Sequence, residues 1–192
     1  SALVMSDGGA GADLLCRRTT QVTDTTGFTL LNYAPSISSD GSRLVFSSDR
    51  AIAGNTADNP QIFSYAVGTG TTSKLTATTG GRNDSPSPSA DGSRIAFSSD
   101  RNHPGANNAD GSRELFLYDT VGPTITQLTN WFVGFTSNPS ISADGTRIAF
   151  DSVADLTGEN GDDNKEIFLY DTTTAPTTQI TDTTGGGQSN VP

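Results

Sequence analysis

Short stretches in which apolar and polar residues alternate recur along the chain. The alternation is clearest in RLVFSS, RIAFSS and RIAFDS, which begin at Arg43, Arg94 and Arg147. A period of two predicts strands with one buried face, and in RLVFSS the side chains of Leu44 and Phe46 lie on that face. An Asp-Gly pair stands shortly before each strand. It predicts a tight turn, because glycine tolerates a positive φ and aspartate caps turns.

Three more strands are predicted around each alternating stretch. A short strand precedes the Asp-Gly turn, a third strand of the type EIFLY follows a long polar loop, and a Thr-rich turn leads to a fourth strand of the type TQIT. This order predicts a four-stranded antiparallel sheet in every repeat. Four short strands in a period of about 50 residues are typical of a β-propeller blade. The prolines that open the repeats are 51 and 53 residues apart: Pro35, Pro86 and Pro139.

The two ends of the chain together supply a fourth repeat. A further 53 residues beyond Pro139 lies Pro192, in SNVP, and residues 1–7 read SALVMSD, which matches SRLVFSSD from Ser42. The sequence therefore predicts that strands from both termini pair to close the ring. The residues predicted to form this closure are Leu3, Val4, Met5, Asn190, Val191 and Pro192.

The predicted fold is one all-β propeller domain over residues 1–192. Its blades are predicted at 1–33 plus 188–192, 34–84, 85–137 and 138–187. Closure within one chain gives a ring of four blades. Alternatively, two chains form an eight-bladed ring, chains join head to tail into a filament, or the chain is part of a larger propeller. The sequence leaves these alternatives open.

Composition argues against several classes of protein. Only 32% of the residues are hydrophobic, Gly is plentiful at 21, and Glu and Lys are scarce, which disfavours a helical bundle or an α/β enzyme. Lys and Arg total 11 against 21 Asp and Glu, a net charge of −10. We therefore expect no nucleic-acid partner and no attraction to an anionic membrane. No apolar run approaches the roughly 20 residues that cross a bilayer, so no membrane insertion is predicted.

The residues that could carry chemistry do not form a catalytic pattern. The single histidine, His103, lies in a polar loop, where we expect it to be exposed. There is no G-x-S-x-G turn, and the one cysteine, Cys16, is expected to be a small buried hydrophobe of a third strand. One histidine and one cysteine do not suffice for a zinc site. The sequence predicts a protein that is not an enzyme.

Calcium is the one candidate cofactor. The loop between the second and third strands of the last repeat, DLTGENGDDNKE, is acidic and rich in turn residues, and Ca²⁺ takes several oxygen ligands from such loops. The alternative is that these residues only build turns and stay solvated. The candidate ligands are Asp155, Glu159, Asp162, Asp163, Asn164 and Glu166.

Charged residues that recur in every repeat are expected to be structural. An arginine follows each Asp-Gly turn, and an aspartate stands near the end of each second strand. Functional side chains rarely recur in every blade, so we expect these residues to pair within their own blade. They are Arg43, Arg94 and Arg147, and Asp49, Asp100 and Asp151.

Residues that break the repeat are better candidates for function. The segment WFVGF, residues 131–135, replaces the TTGG-type crossing between blades, and further aromatic residues lie in the crossing before the first whole repeat. An exposed aromatic patch there would contact a protein or a sugar. The pattern favours the alternative, in which these side chains fill the space between blades. The candidates are Trp131, Phe132, Phe135, Phe28 and Tyr33.

The blocks PSISADGTRIAFDS, EIFLYD and TQIT resemble the WD-like β-propeller repeats of the TolB type, which are common in secreted and periplasmic bacterial proteins. The resemblance implies a binding platform, often for proteins, outside the cytoplasm. We therefore expect a binding or assembly module with a protein partner or self-association. The alternatives are a lectin-like propeller that binds carbohydrate, a structural subunit that polymerises through its split blade, and the propeller portion of a larger hydrolase.

Overall fold

A computed structural model describes residues 19–24, 31–55, 59–132 and 134–183. Three four-stranded antiparallel sheets, each in sequential strand order, make up the described part. They confirm the predicted blade in all three whole repeats. The first blade has strands β1 (Asn32–Ile37), β2 (Arg43–Ser48), β3 (Gln61–Ala66) and β4 (Thr71–Lys74). The second has β5 (Asn83–Pro88), β6 (Arg94–Ser99), β7 (Glu114–Asp119) and β8 (Thr124–Gln127). The third has β9 (Thr136–Ile141), β10 (Arg147–Ser152), β11 (Glu166–Asp171) and β12 (Thr177–Gln179).

The hydrophobic core lies between consecutive blades. One face of each blade carries a stacked phenylalanine pair, with ring centroids 5.6–5.7 Å apart. The other face carries small and aliphatic residues. Ile62 of the first blade packs against Phe97 and Phe116 of the second, and Leu115 of the second belongs to one cluster with Phe168 of the third. Each blade is therefore completed by its neighbour.

The innermost strand of each blade begins two residues before the boundary predicted from the sequence, at Asn32, Asn83 and Thr136. These residues are polar, so no apolar alternation marks them. A bulge interrupts each strand at the residue before proline. The bulged residue has a positive φ of 49° to 53° in all three blades.

The Asp-Gly turns bind one blade to the next. In the second blade the Ser93 N–H and the hydroxyls of Ser89 and Ser93 donate to Asp91, and these bonds lower the pKa of Asp91 to about 2. The turns also contact each other, because the Ala90 N–H donates to the Ala143 carbonyl at 2.9 Å. A polar ladder thus joins the blades at one end of the strands.

The recurring arginines pair within their own blades only in part. As predicted, Arg147 Nε lies 3.9 Å from Asp171 Oδ2 of its own blade, and Arg43 donates from Nη1 to Ser64 Oγ at 3.0 Å, but two of the three also reach the next blade. Arg94 donates from Nη1 to the Gly145 carbonyl of the third blade at 3.0 Å, and a Cβ at Gly145 would lie 2.7 Å from Arg94 Cδ. Arg43 lies against Gly92 of the second blade in the same way. The cause is steric: a turn glycine leaves room for the arginine of the preceding blade. The glycine of the Asp-Gly turn therefore serves packing as well as positive φ.

The recurring aspartates do stay within their own blades. Asp49 accepts the Leu31 N–H at 2.6 Å, and Asp100 accepts the Arg82 N–H at 2.8 Å. Asp151 is not their equivalent, because it lies inside β10 opposite Ile167. The third blade has lost this loop aspartate and has gained another carboxylate two positions earlier in the strand.

The expectation that His103 is exposed is wrong. Its exposed fraction is 2%, and its ring packs edge-on against Phe97 and Phe116, with centroids 5.6 Å and 4.9 Å away. Nε2 lies 3.1 Å from Ser99 Oγ, and burial lowers the pKa of His103 to about 4. The first and third blades have Ile52 and Leu156 at this position. The loop residue is therefore a plug that closes the blade's apolar interior.

Replacement of His103 by leucine should remove an acid-sensitive step in stability. In the unfolded chain the histidine has a pKa near 6.5, whereas in the folded protein its pKa is about 4. Between these two pH values the unfolded state binds the proton and the folded state does not, so the stability of the wild type falls as the pH is lowered from 6.5 to 4. Between pH 7 and pH 4.5 we expect the stability of His103→Leu to rise relative to wild type by about 2 kcal/mol, in urea unfolding. The conservative variant Ile52→Leu should keep the wild-type pH dependence. A stability difference that does not vary between pH 7 and pH 4.5 would contradict this role.

Candidate functional site

A buried polar clamp supports the crossing loops at the end of the blades opposite the Asp-Gly turns. Gln61, Glu114 and Glu166 open the third strands, and each is 1% exposed. In each blade this side chain accepts a threonine hydroxyl from the crossing loop. The same threonine oxygen accepts the N–H of the residue after the Gln or Glu, at 2.9 Å in all three blades. The clamp thus fixes where each crossing loop leaves its blade.

In the second blade the clamp holds the start of the aromatic segment. Glu114 accepts the Thr129 hydroxyl, the Ser112 hydroxyl at 2.9 Å and the Trp131 N–H at 2.7 Å. Burial raises the pKa of Glu114 in spite of these hydrogen bonds. Because the Trp131 backbone is tied to a buried carboxylate, the indole is presented from a fixed point.

We predict that Glu114→Gln is tolerated and that Glu114→Ala is not. Gln61 performs the same task in the first blade, so glutamine should cost less than about 1 kcal/mol. Alanine leaves buried donors without an acceptor and should cost about 2–3 kcal/mol in urea unfolding. Since the folded pKa is raised, wild-type stability falls as pH rises above about 4.5 through that pKa, and Glu114→Gln should remove this fall. Equal destabilisation by glutamine and alanine would refute the clamp.

The aromatic residues of the crossing between β8 and β9 lie at the surface. Phe132 is 83% exposed, Phe135 47% and Trp131 37%. The expectation that these side chains fill the space between blades is therefore wrong, most clearly for Phe132. The loop projects them outward because the apolar space between these blades is already filled, among others by Leu115 and Leu128. We refer to Trp131, Phe132 and Phe135 as the aromatic patch.

Charged residues adjoin the aromatic patch. Lys165 Nζ lies 5.9 Å from the centre of the Phe135 ring and 2.8 Å from Asp151 Oδ2. Arg113 forms a parallel bridge with Phe135 through the backbone, and its guanidinium lies 2.8 Å from Asp84 Oδ2. Two blades thus contribute cations to the edge of the patch.

Asp84, which pairs with Arg113, also connects this surface to the first blade. Arg82 Nη2 lies 4.0 Å from Asp84 Oδ2. Tyr33 lies next to both, and burial, followed by the charge of Asp84, raises the pKa of its hydroxyl. Tyr33 is therefore brought to the same surface as the aromatic patch, across the boundary between two blades. Phe28 lies outside the described residues.

The charged members of this surface are not among the site residues predicted from the sequence. Arg113 and Lys165 occupy the position that Pro60 has in the first blade. Alignment of the repeats therefore indicates these two cations, because the second and third blades have a cation at a position where the first has none. In the first blade, the positions equivalent to Arg82 and Asp84 are occupied by Leu31 and Tyr33. The alignment shows that these positions vary, but only the fold shows that they converge.

The acidic loop of the third blade uses several candidate calcium ligands for its own hydrogen bonds. Asp155 accepts the Asn160 N–H at 2.9 Å, Asn164 donates to Asp162 at 3.0 Å, and Glu166 accepts the hydroxyls of Thr181 and Thr183. Burial opposes ionisation of Glu166, but the hydrogen bonds together lower its pKa.

The remaining candidate ligands of this loop are exposed. They are Glu159 and Asp163, and Asp163 has a φ of 53° at the position of Gly111. Within the described ranges, no three His, Cys, Asp or Glu side chains form a group that could hold a metal ion. Calcium binding stays a prediction from the sequence.

Other predictions fall on residues that the structure does not describe. The closure residues Leu3, Val4, Met5, Asn190, Val191 and Pro192 lie outside the described ranges, as does Cys16. Among the residues that are described, no helix is long and apolar enough to cross a membrane.

No family model matches the chain, and no curated protein matches it in sequence. Solved structures do share its fold. A putative TolB from Agrobacterium tumefaciens is 22% identical, with a TM-score of 0.58 over 82% of this chain and 50% of that one. A chain of a nidogen/laminin complex is 9% identical, with a TM-score of 0.55 over 84% and 50%. An oligogalacturonate lyase from Vibrio parahaemolyticus is 15% identical, with a TM-score of 0.54 over 82% and 42%.

These similarities establish the fold and nothing finer. At such identities the β-propeller architecture is shared, while function is set by individual sites. The chain spans half or less of the length of these three structures. The TolB-type resemblance of the sequence therefore extends to the fold, and the three described sheets are propeller blades.

Proposed function

We propose that the chain is a non-enzymatic binding platform that contacts a protein partner through the aromatic patch. The exposure of Phe132, at 83%, carries the proposal. Between the other described pair of blades the crossing ATTGGR, residues 77–82, has no aromatic side chain. The patch therefore breaks the symmetry of the repeat, as a specific contact surface does and a packing element does not.

Physical chemistry supports a protein partner for this patch. Exposed phenylalanine and tryptophan side chains are rare on non-interacting surfaces and are enriched among the residues that dominate binding energy. The Trp131 backbone is anchored by Glu114, so part of the patch is ordered before a partner arrives. Such preorganisation lowers the entropic cost of binding.

Peptide display on the folded chain tests the platform. We expect selected peptides to shift the fluorescence of Trp131, the only tryptophan in the chain, and to bind at least about tenfold more weakly to Phe132→Ser. The matched control is Val121→Ser, because Val121 is 85% exposed at the β7–β8 turn, at the opposite end of the same blade. Peptides that bind Phe132→Ser as well as wild type would refute the proposal.

The alternative functions have less support. A lectin-like propeller would have aromatic and polar pockets repeated around the ring. The open groove of about 390 Å³ beside β8 is lined by residues 105–107 and 125–130, without an aromatic side chain. A location outside the cytoplasm and the lack of catalysis stay predictions from the sequence.

We also propose that the split blade predicted from the sequence, residues 1–33 plus 188–192, covers the face of the third blade that no other described blade covers. Ile167 is 42% exposed on this face, whereas the matching Ile62 and Leu115 are 1% and 0% exposed. Ile180, on the same face, is 56% exposed. Ile62 and Leu115 are buried by the blade that follows theirs, so we expect a further blade to bury Ile167 in the same way. By the repeat, Met5 takes the place of Phe46.

Chemical cross-linking distinguishes closure within one chain from closure between chains. In a Cys16→Ser background, Met5→Cys with Ile167→Cys should be joined by a short bismaleimide into a linked single chain, detected by mass spectrometry. The control pair, Met5→Cys with Val121→Cys, should stay unlinked. Linked dimers would instead establish self-association through the blade, and the lack of any link would refute closure by the split blade.

A further inference from the structure

The charges beside the aromatic patch are arranged in layers, with the acids inside and the bases outside. The side chains of Asp84 and Asp151 are 13% and 9% exposed, whereas those of Arg82 and Lys165 are 58% and 53% exposed. Arg113, at 25%, lies between these values. The aspartates pair with the cations from the buried side, so the cations are the charged groups that a binding partner contacts.

Arg101 extends this arrangement along the crossing between the first two blades. Its side chain lies over Gly81, where a Cβ would come within 1.8–2.0 Å of the guanidinium, and it is paired with Asp100 at 2.8 Å. It is 31% exposed, against 25% for that aspartate. We refer to Arg82, Arg101, Arg113 and Lys165 as the cationic rim.

The cationic rim and the aromatic patch form one continuous surface. Lys165 lies over Phe135, Arg113 pairs with Phe135 through the backbone, and Asp84 joins Arg113 to Arg82. Of the other described cations, Arg43, Arg94 and Arg147 adjoin the Asp-Gly turns at the opposite end of the strands, and Arg50 and Lys74 belong to the first blade. In a chain of net charge −10, the four cations of the rim outnumber by one the three aspartates with which they pair, and in each pair the cation is the more exposed member.

We propose that this surface binds an acidic polypeptide segment, whose carboxylates pair with the cationic rim while an apolar side chain packs on the aromatic patch. The inference rests on the proposed platform function and names the chemistry of its partner. Complementary charge sets which partner is accepted and how fast it associates, and the aromatic contact supplies most of the affinity.

A segment fits this surface better than an anionic membrane does. A bilayer presents negative charge over an area far wider than the rim, and the net charge of −10 would oppose that approach. A short segment interacts only with charges within a Debye length, about 10 Å at 0.1 M salt, so the distant acids of the chain are screened from it.

Matched peptides test the inference through Trp131 fluorescence. One probe has a Leu-Phe anchor flanked by two glutamates on each side, and the second has lysines in place of the glutamates. We expect the glutamate peptide to shift the emission and to bind more weakly as salt rises, and the lysine peptide to bind at least about tenfold more weakly.

Variants connect the charge preference to particular side chains. Arg82→Gln combined with Lys165→Gln should weaken the glutamate peptide by about tenfold. The control is Arg147→Gln, which removes one positive charge from a side chain that is 64% exposed beside an Asp-Gly turn, and it should change nothing.

Each other outcome has a definite meaning. Equal binding of both peptides, lost in Phe132→Ser, would overturn the acidic partner and leave the platform intact. Binding of neither peptide would overturn the inference. A shift with phosphatidylserine vesicles but not with the glutamate peptide would replace the segment by a membrane. A glutamate peptide insensitive to the rim variants would overturn the assignment to the rim.

Discussion

Packing of the phenylalanine face of one blade on the aliphatic face of the preceding blade is the constraint on which this structure depends. Four short strands enclose little core of their own, and Ile62 of the first blade completes the burial of Phe97 and Phe116 that His103 of their own loop begins. Full burial of such a side chain contributes about 1.5–3 kcal/mol. Each blade thus buries apolar residues of its neighbours and is buried by them, as in other repeat architectures.

This constraint explains why the two ends of the strands differ. At the Asp-Gly end, small turn residues let neighbouring blades meet through backbone hydrogen bonds and through Arg94 over Gly145. Each blade must repeat these contacts, so the end has little freedom to vary. At the opposite end the Gln or Glu clamp fixes only the start of each crossing loop. Beyond Trp131 the loop is free to change, and its changes reach solvent.

The sequence predicts the periodic part of this fold well. Alternation in RLVFSS and its equivalents, with the Asp-Gly turns, placed three blades, because period and turn chemistry are local properties. The inner strands were misplaced by two residues, since their polar residues carry no such pattern. The polar neighbours of His103 predict an exposed loop, whereas the matching Ile52 and Leu156 indicate an interior position. Alignment of the repeats would have corrected that error.

The candidate surface was only half predictable for a related reason. Breaks in the repeat identify Trp131 and Phe132 from sequence alone, but convergence of Arg82, Asp84 and Arg113 depends on how two blades meet. That meeting is set by the phenylalanine packing, so the surface inherits its geometry from the core. A change at Phe132, which is 83% exposed, leaves the phenylalanine packing between blades untouched, and this allows a repeated scaffold to acquire one specific binding surface.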